Sequence, residues 1–443
     1  LDALALKRNT SATELYRQFD QSLQDGLSPE AEANIPGPRQ GVIMQHFDYI
    51  IAGAGIVGLT TAYEILSRAP SARVAVVEKE DAPGRHASGR NSGVLHCGLY
   101  YGSNTLKAQV CAVGGRAMKA FADANGIPWQ NTGKVLVATA PDQLPAVERL
   151  MQNAADNAIR AERIDNKTLL ELEPAAPPDA VAAIHCPDTS VIDAKAVLET
   201  LRRLLAERGA RFYFQRRVLG PAADGSLQTT NGPIRGGFLF NCCGAYADVL
   251  AKACGFARQY ELVPFKGIYW KLSPQKKHLV RGNIYPVPDP AMPFLGVHFT
   301  RGISGEVYVG PTAIPALGRE NYGLVSGAKW GEAATILGRL ARLYLADHDN
   351  FRLLARTEIR KYSKCFFHQC AKRLFPGLEL DDLVPTAKAG IRPQLVNIAA
   401  KRLEMDYILE GDGKSLHVLN AISPAFTGSF AFARMIVDRG GAL

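Results

Sequence analysis

The chain has no uninterrupted apolar run of about 18 residues, so no segment reads as a bilayer-spanning helix. Cysteine is sparse and irregular: Cys97, Cys111, Cys186, Cys242, Cys243, Cys254, Cys365 and Cys370 are the only eight in 443 residues. That spacing is not a disulfide framework. With no visible secretory signal, the expected setting is reducing and cytoplasmic, with the inner face of a membrane as a further site of contact. The stretch from Cys365 through His368 to Cys370 lacks the second ligand pair of a zinc site, so buried helix cysteines and no metal are expected. The chain also lacks internal repeats and low-complexity blocks. No motif has the spacing of a nucleic-acid reader, and the basic excess, 51 Lys+Arg against 42 Asp+Glu, is spread rather than gathered in a stripe. A basic soluble enzyme fits. The charge also permits acidic substrates or peripheral contact with anionic headgroups.

What is present divides at about residue 44. In residues 1–43, Ser11-Ala12-Thr13-Glu14 is a capping box, followed by Leu15, Phe19 and Leu23 at helical spacing. A stretch punctuated by Pro29, Pro36 and Pro38 then reads as a linker, and Met44 is a candidate native start. This extension is expected to be a loosely held appendage or docking segment. From Phe47 the pattern turns to strand (Phe47–Ala52), glycine turn, helix to about Arg68, and strand (Arg73–Glu78), one complete βαβ unit. A helix at Ala194–Arg208, strands at Arg211–Phe214 and Gly237–Cys242, and an aromatic, β-branched antiparallel region from Tyr260 to Tyr308 are expected next. Helical patterns return from Ala328 to Phe375.

The turn Gly53-Ala54-Gly55-Ile56-Val57-Gly58 has glycine where each is needed. The first makes the tight turn, the second admits a pyrophosphate, and the third lets helix and strand pack closely. Phosphates then meet the free amides of the helix start. Glu78 ends the second strand and can accept hydrogen bonds from ribose hydroxyls; its charge disfavours NADP. This fingerprint alone does not separate NAD from FAD. The small, hydrogen-bonding segment Ser88-Gly89-Arg90-Asn91-Ser92-Gly93-Val94-Leu95-His96 does, because it suits close approach to an isoalloxazine ring.

With these residues in view, the sequence resembles the L-2-hydroxyglutarate dehydrogenase/oxidase family of the D-amino-acid-oxidase superfamily, from about Phe47 to Asp438. The specific pieces are Gly89 to Tyr101, Gly282 to Asp289, Pro293 to Thr300 and Asn420 to Ala425. The resemblance implies an α/β fold: an FAD-binding Rossmann-like domain of glutathione-reductase type, and an antiparallel-sheet α+β substrate domain. The expected boundaries are 44–130, 180–255 and 380–443 for the first, 131–179 and 256–379 for the second. It implies FAD contacts from Gly53, Gly55, Ile56, Val57, Gly58, Glu78, Lys79, Ser88, Gly89, Asn91, Ser92 and Gly93. Later contacts are implied from Val218, Gly244, Gly390, Arg392, Ser423, Pro424, Ala425 and Thr427.

Oxidising a secondary alcohol leaves a proton on oxygen, which a neutral histidine suits near pH 7. His96 is the first candidate and His298 the second, both at places the family resemblance marks. A 2-hydroxy acid needs anion anchors: Arg392 in Gly390-Ile391-Arg392-Pro393 first, then Lys266 and Arg319, with Tyr101 and Tyr285 lining the pocket. The expected activity is oxidation of an L-2-hydroxy acid, L-2-hydroxyglutarate first, with electrons passed to a quinone or oxygen. An FAD-dependent amine or amino-acid oxidase is the alternative within enzymes, and a flavin-binding docking protein the alternative outside them. Three departures bear on the choice of acid. The family's Pro-Phe-Arg-Gly is Pro264-Phe265-Lys266-Gly267 here, its Gly-Pro-Asn is Gly310-Pro311-Thr312, and Ser-Pro-Ala-Ala-Thr is Ser423-Pro424-Ala425-Phe426-Thr427.

Overall fold

The computed structural model describes residues 46–289, 292–323 and 326–441; the helix expected within residues 1–43 lies outside the described residues. A six-stranded sheet runs in the order Leu409–Gly411, Ser415–Val418, Arg235–Asn241, His46–Ala52, Val74–Val77, Arg211–Tyr213. All neighbours are parallel except the edge hairpin formed by the first two. A strand central to such a sheet is covered on both faces, which is why His46–Ala52 and Val74–Val77 are almost continuously apolar. Helices Ile56–Arg68, Leu106–Ala124 and Ser429–Gly440 pack together beside it, with Tyr63, Phe121 and Phe430 meeting at ring distances of 5.0–6.0 Å. Contact is close because Gly114 faces Gly428: a Cβ at Gly114 would stand 2.5 Å from the Gly428 Cα.

A ten-stranded sheet forms the second layer. Its order is Arg402–Leu403, Leu383–Asn397, Tyr260–Leu272, Val307–Gly310, His298–Arg301, Asn283–Pro286, Lys134–Ala138, Ala182–Cys186, Glu162–Ile164, with Ile314–Pro315 paired to Tyr260–Leu272. The expected antiparallel sheet is therefore present with one exception, the parallel pairing of Asn283–Pro286 with Lys134–Ala138. Two of its strands, Ala182–Cys186 and Leu383–Asn397, fall inside segments that the sequence boundaries assigned to the cofactor domain. The longer one continues the pairing of Tyr260–Leu272 almost end to end and pairs in turn with Arg402–Leu403, so the chain changes layers after about residue 403 rather than at 380.

Register fixes which side chains share a face, because successive residues of a strand point to opposite sides. Val135, Val137, Ile284, Phe299 and Val309 turn to one side and pack with Phe367, Ala371 and Phe375. Lys134, Tyr285 and His298 turn to the other. The helical stretch resolves into Trp330–Ala346, Phe351–Arg360 and Lys364–Lys372. Cys365 and Cys370 do lie on the last of these, but Cys365 is exposed and Cys370 half-buried. The expectation of buried cysteines is corrected there: Phe367 and Ala371 take the buried face, Cys365, two positions before Phe367, points away from it, and Cys370 packs at its margin.

Candidate active site and cofactor cleft

The glycine turn works as its spacing requires. Gly53 has φ +106°, and a Cβ there would sit 2.5 Å from the Cys242 carbonyl oxygen. A Cβ on Gly58 would sit 2.0 Å from the Gly53 oxygen, so the helix can approach its strand only with glycine at this place. Gly55 is the helix N-cap and offers no side-chain acceptor of its own. Ser88 supplies one: its Oγ accepts from the Ile56 amide at 2.9 Å. Glu78 accepts from the Ala54 amide at 2.7 Å and the Glu80 amide at 3.0 Å, which holds its carboxylate at the mouth of the turn.

Beside this turn lies a cleft lined by Gly53, Gly55, Glu78, Lys79, Ser88, Val218 and Gly244, together with Ile391 and Pro393. The lining suits a dinucleotide. A glycine-walled helix start faces the phosphates, and an acid stands where the ribose hydroxyls would lie. These residues fit FAD. Lys79 is already engaged: Glu80, His86 and Glu320 gather around its ammonium, with Glu320 at 2.6 Å. Burial would raise the Glu320 carboxyl, but hydrogen bonds from the Lys79 ammonium and the Tyr246 hydroxyl hold it down at about 2.

The loop after Ser88 is organised by its own side chains. Asn91 Nδ2 donates to the Ser88 oxygen at 2.6 Å, and its Oδ1 accepts from the Gly93 amide at 2.8 Å. Gly93 (φ +77°) lies where a Cβ would meet the Ile192 oxygen at 2.9 Å, and a Cβ on Gly89 would meet the Gly84 oxygen at 2.3 Å. Three distant segments converge on this loop. Thr427 Oγ1 accepts from the His96 amide at 3.2 Å and donates to the Val94 oxygen at 3.3 Å. A Cβ on Gly390 would stand 3.0 Å from the Arg90 oxygen. Pro424 and Ala425 are buried, and Ser423 is exposed, just before the helix Ser429–Gly440.

His96 follows the short strand Val94–Leu95, which pairs with Ser190–Ile192. Its ring makes no hydrogen bond to any described residue, and Nδ1 is fully enclosed. Burial pushes the ring down to about 3, aided by the positive charges of Lys134 and Arg392 and by His298. His298 Nδ1 donates to the Gly296 carbonyl at 2.8 Å, which assigns the proton to Nδ1, and its ring lies 3.9 Å from that of Tyr285. Burial lowers it to about 4, partly offset by that carbonyl. The Arg392 guanidinium stands 5.0 Å from the centre of the Phe294 ring and makes no hydrogen bond or ion pair to a side chain or backbone group of another described residue. Tyr101 is held by its backbone, the oxygen accepting from Asn157 at 2.8 Å. His96, His298, Tyr101, Tyr285 and Arg392 are thus brought into one neighbourhood.

Lys266 and Arg319 stand apart. Lys266 Nζ donates to Gly323 at 2.6 Å and to Asn321 at 3.2 Å. Arg319 is locked to Asp248 and, at 3.0 Å, to Glu332, beside the cofactor cleft. Thr312 is likewise structural, accepting from the Ile268 amide at 3.0 Å and donating to the Lys266 oxygen at 3.1 Å. Phe426 packs on the core of the cofactor layer. Two charged residues near His96 escaped the sequence reading, Lys134 and Lys107. The available signal was a lone lysine opening a fully buried strand, Lys134–Ala138. Lys107 is pulled down to about 7 by burial and by the Arg392 charge.

The comparisons with known proteins agree with this geometry. The family model for FAD dependent oxidoreductases (DAO) matches residues 48–439. The L-2-hydroxyglutarate dehydrogenase of Escherichia coli K12 is 36% identical over 89% of this chain and 93% of its own length. The mitochondrial enzyme of Caenorhabditis elegans is 33% identical, over 90% and 94%; the human one is 33% identical, over 88% of each. Among solved structures, L-alpha-glycerophosphate oxidase from Mycoplasma pneumoniae with FAD bound superposes with a TM-score of 0.71 at 22% identity, over 90% of this chain and 95% of that one. Glycine oxidase from Geobacillus kaustophilus gives 0.65 at 18% identity, over 89% and 94%. These two share the fold. The sequence relatives go further: the chain belongs to the L-2-hydroxyglutarate dehydrogenase family of FAD-dependent oxidoreductases.

Proposed function

We propose that this protein oxidises L-2-hydroxyglutarate to the 2-oxo acid, with His96 as the proton acceptor and Arg392 as the anchor of the substrate carboxylate beside the carbinol carbon. The observation that carries this reading is the bare imidazole of His96 in a neighbourhood whose guanidinium, Arg392, has no acidic partner among the described residues. Bound FAD supplies the two-electron acceptor. His96 is neutral at working pH and has a free ring nitrogen, so it can take the hydroxyl proton as the hydride leaves. Arg392 offers a planar pair of donors to the carboxylate and fixes which face of the substrate is presented. Tyr285 and His298 close the pocket wall, and their burial limits water at the reacting carbon.

Transfer of electrons to a quinone, rather than to oxygen, is part of the same reading. Trp330 and Leu345, 76% and 74% exposed, and Leu337 lie along the helix Trp330–Ala346, with Leu353 and Ile359 exposed on the next. Arg342, Arg352, Arg356 and Arg360 are exposed among them. An apolar strip bordered by arginines suits the surface of an anionic bilayer; among the described residues no helix is long and apolar enough to cross it. The direct test is anaerobic bleaching of the flavin by a panel of L- and D-2-hydroxy acids and amino acids. L-2-hydroxyglutarate is expected to bleach fastest, and bleaching by amino acids alone would overturn the reading.

A further inference from the structure

Lys134 opens the strand Lys134–Ala138 and shares its face with Tyr285 and His298. It is 1% exposed, and no carboxylate of a described residue pairs with it. Its ammonium lies 4.5 Å from the centre of the Tyr100 ring, 5.5 Å from that of Tyr285, and 3.5 Å from the Tyr100 hydroxyl. A buried ammonium without a carboxylate partner is costly to fold, and a methionine would fill the same space without that cost. Two aromatic faces recover part of it. The remaining groups that face Lys134 are the thiols of Cys97, Cys111 and Cys186, the phenol of Tyr101 and the rings of His96 and His298; of these Cys97 is held well below the usual thiol range by the Cys186 thiol and the Lys134 charge. His96 in turn faces Lys134, His298 and Arg392; His298 faces Lys134, Lys361, Tyr285 and the Gly296 carbonyl.

We propose that Lys134 is a positioning residue for the oxidation: a fixed positive charge behind the pocket wall that keeps His96 free of its proton until substrate arrives and favours the oxyanion formed as the hydroxyl proton departs. Burial is the larger cause of the low values of both imidazoles, and the cation adds to it by repelling a proton on either ring. It also presents a preorganised charge toward a substrate that becomes more negative on the way to product. Clamped between Tyr100 and Tyr285, the ammonium has little freedom to swing away, so the field is fixed rather than induced. The inference rests on the reading that His96 accepts the proton.

The test uses the flavin-loaded enzyme and the variants Lys134→Met and Lys134→Arg, with flavin content and melting temperature as controls. The pH dependence of kcat/KM for L-2-hydroxyglutarate is recorded for each. Lys134→Met is expected to move the acid limb upward by about one pH unit or more, and Lys134→Arg to leave it near the wild-type position. An unmoved limb in a flavin-loaded Lys134→Met enzyme would overturn the proposal. Should that variant lose its flavin, diethyl pyrocarbonate, which attacks neutral imidazole, is applied to the flavin-free wild type and the flavin-free Lys134→Met protein, with His96→Ala as the blank. A midpoint for reaction at His96 that lies higher in Lys134→Met supports the proposal, and coincident midpoints overturn it. This second readout needs no turnover, so a wild type that oxidises no hydroxy acid sinks the functional reading separately.

Discussion

At the scale of single residues, the pocket separates the group that takes a proton from the group that holds charge. Removing the base, His96→Ala, is expected to lower kcat by roughly 10²–10⁴-fold while flavin content is unchanged, since the ring makes no hydrogen bond to a described residue. Stopped-flow flavin reduction checks it, and a rate within a few-fold of wild type would move the base elsewhere. The sign of its pH dependence follows from the ring's low value of about 3. A base works above its pKa, so kcat/KM should hold steady as pH falls through the usual histidine range and decline only in more acid solution. A carboxylate bound beside the ring raises that value, so the acid limb of kcat should lie higher than that of kcat/KM. Arg392→Met removes a charged anchor with no internal partner to strand. A loss of about 10²-fold in kcat/KM is expected, in line with about 1.5–3 kcal/mol for hydrogen bonds to a charged group, without loss of melting temperature. A destabilised variant with unchanged kinetics would make Arg392 a packing residue.

At the scale of elements, the part of the site made by local backbone geometry was legible and the part made by long-range pairing was not. The strand–turn–helix at 46–68 could be read because each glycine has a local job, and the structure shows what a side chain would hit at two of them. Replacing Gly58 with Ala should therefore separate helix from strand and abolish flavin binding, measured as the flavin-to-protein absorbance ratio of the purified variant. Retention of full flavin content would mean that the turn can relax by more than the 2.0 Å approach allows. Anion anchors follow a different logic. Lys266 and Arg319 look like free cations in the sequence because Asn321 lies 55 positions from the first, and Asp248 and Glu332 lie 71 and 13 from the second, and only folding brings them together. The reverse holds for Lys134, whose meaning comes from the carboxylate that is missing among the described residues on the face it shares with Tyr285 and His298. Similarly, the strand Leu383–Asn397 was placed with the cofactor layer because its glycine and arginine face that way in the family resemblance, while its backbone hydrogen bonds belong to the other sheet.

At the scale of the whole molecule, the same burial that prepares the histidines makes the fold sensitive to acid. His96 is pushed to about 3, and His298 and His417 to about 4, by burial in each case. His417 lies far from the pocket along the chain, in the strand Ser415–Val418, bonded to Asn241 at 2.9 Å and Ser415 at 3.1 Å. In the unfolded chain all three rings bind protons below about pH 6.5, whereas the folded rings do not until near 4 or 3. Their contribution to stability is full above pH 6.5 and is lost as pH falls. One group opposes them: burial raises Glu173 to about 7, so the folded state holds a proton there that the unfolded chain releases above about 4.5. Three rings against one carboxyl leave the unfolded state with the larger proton uptake. Between pH 6.5 and 4.5 stability should fall by roughly 1.4 kcal/mol per pH unit for each net proton. The melting temperature is expected to drop across that interval, and less steeply in His417→Asn, which removes one titrating ring outside the active site. A melting temperature that rises on acidification would mean that Glu173 outweighs the histidines, and with it that the pocket rings carry protons in the folded protein.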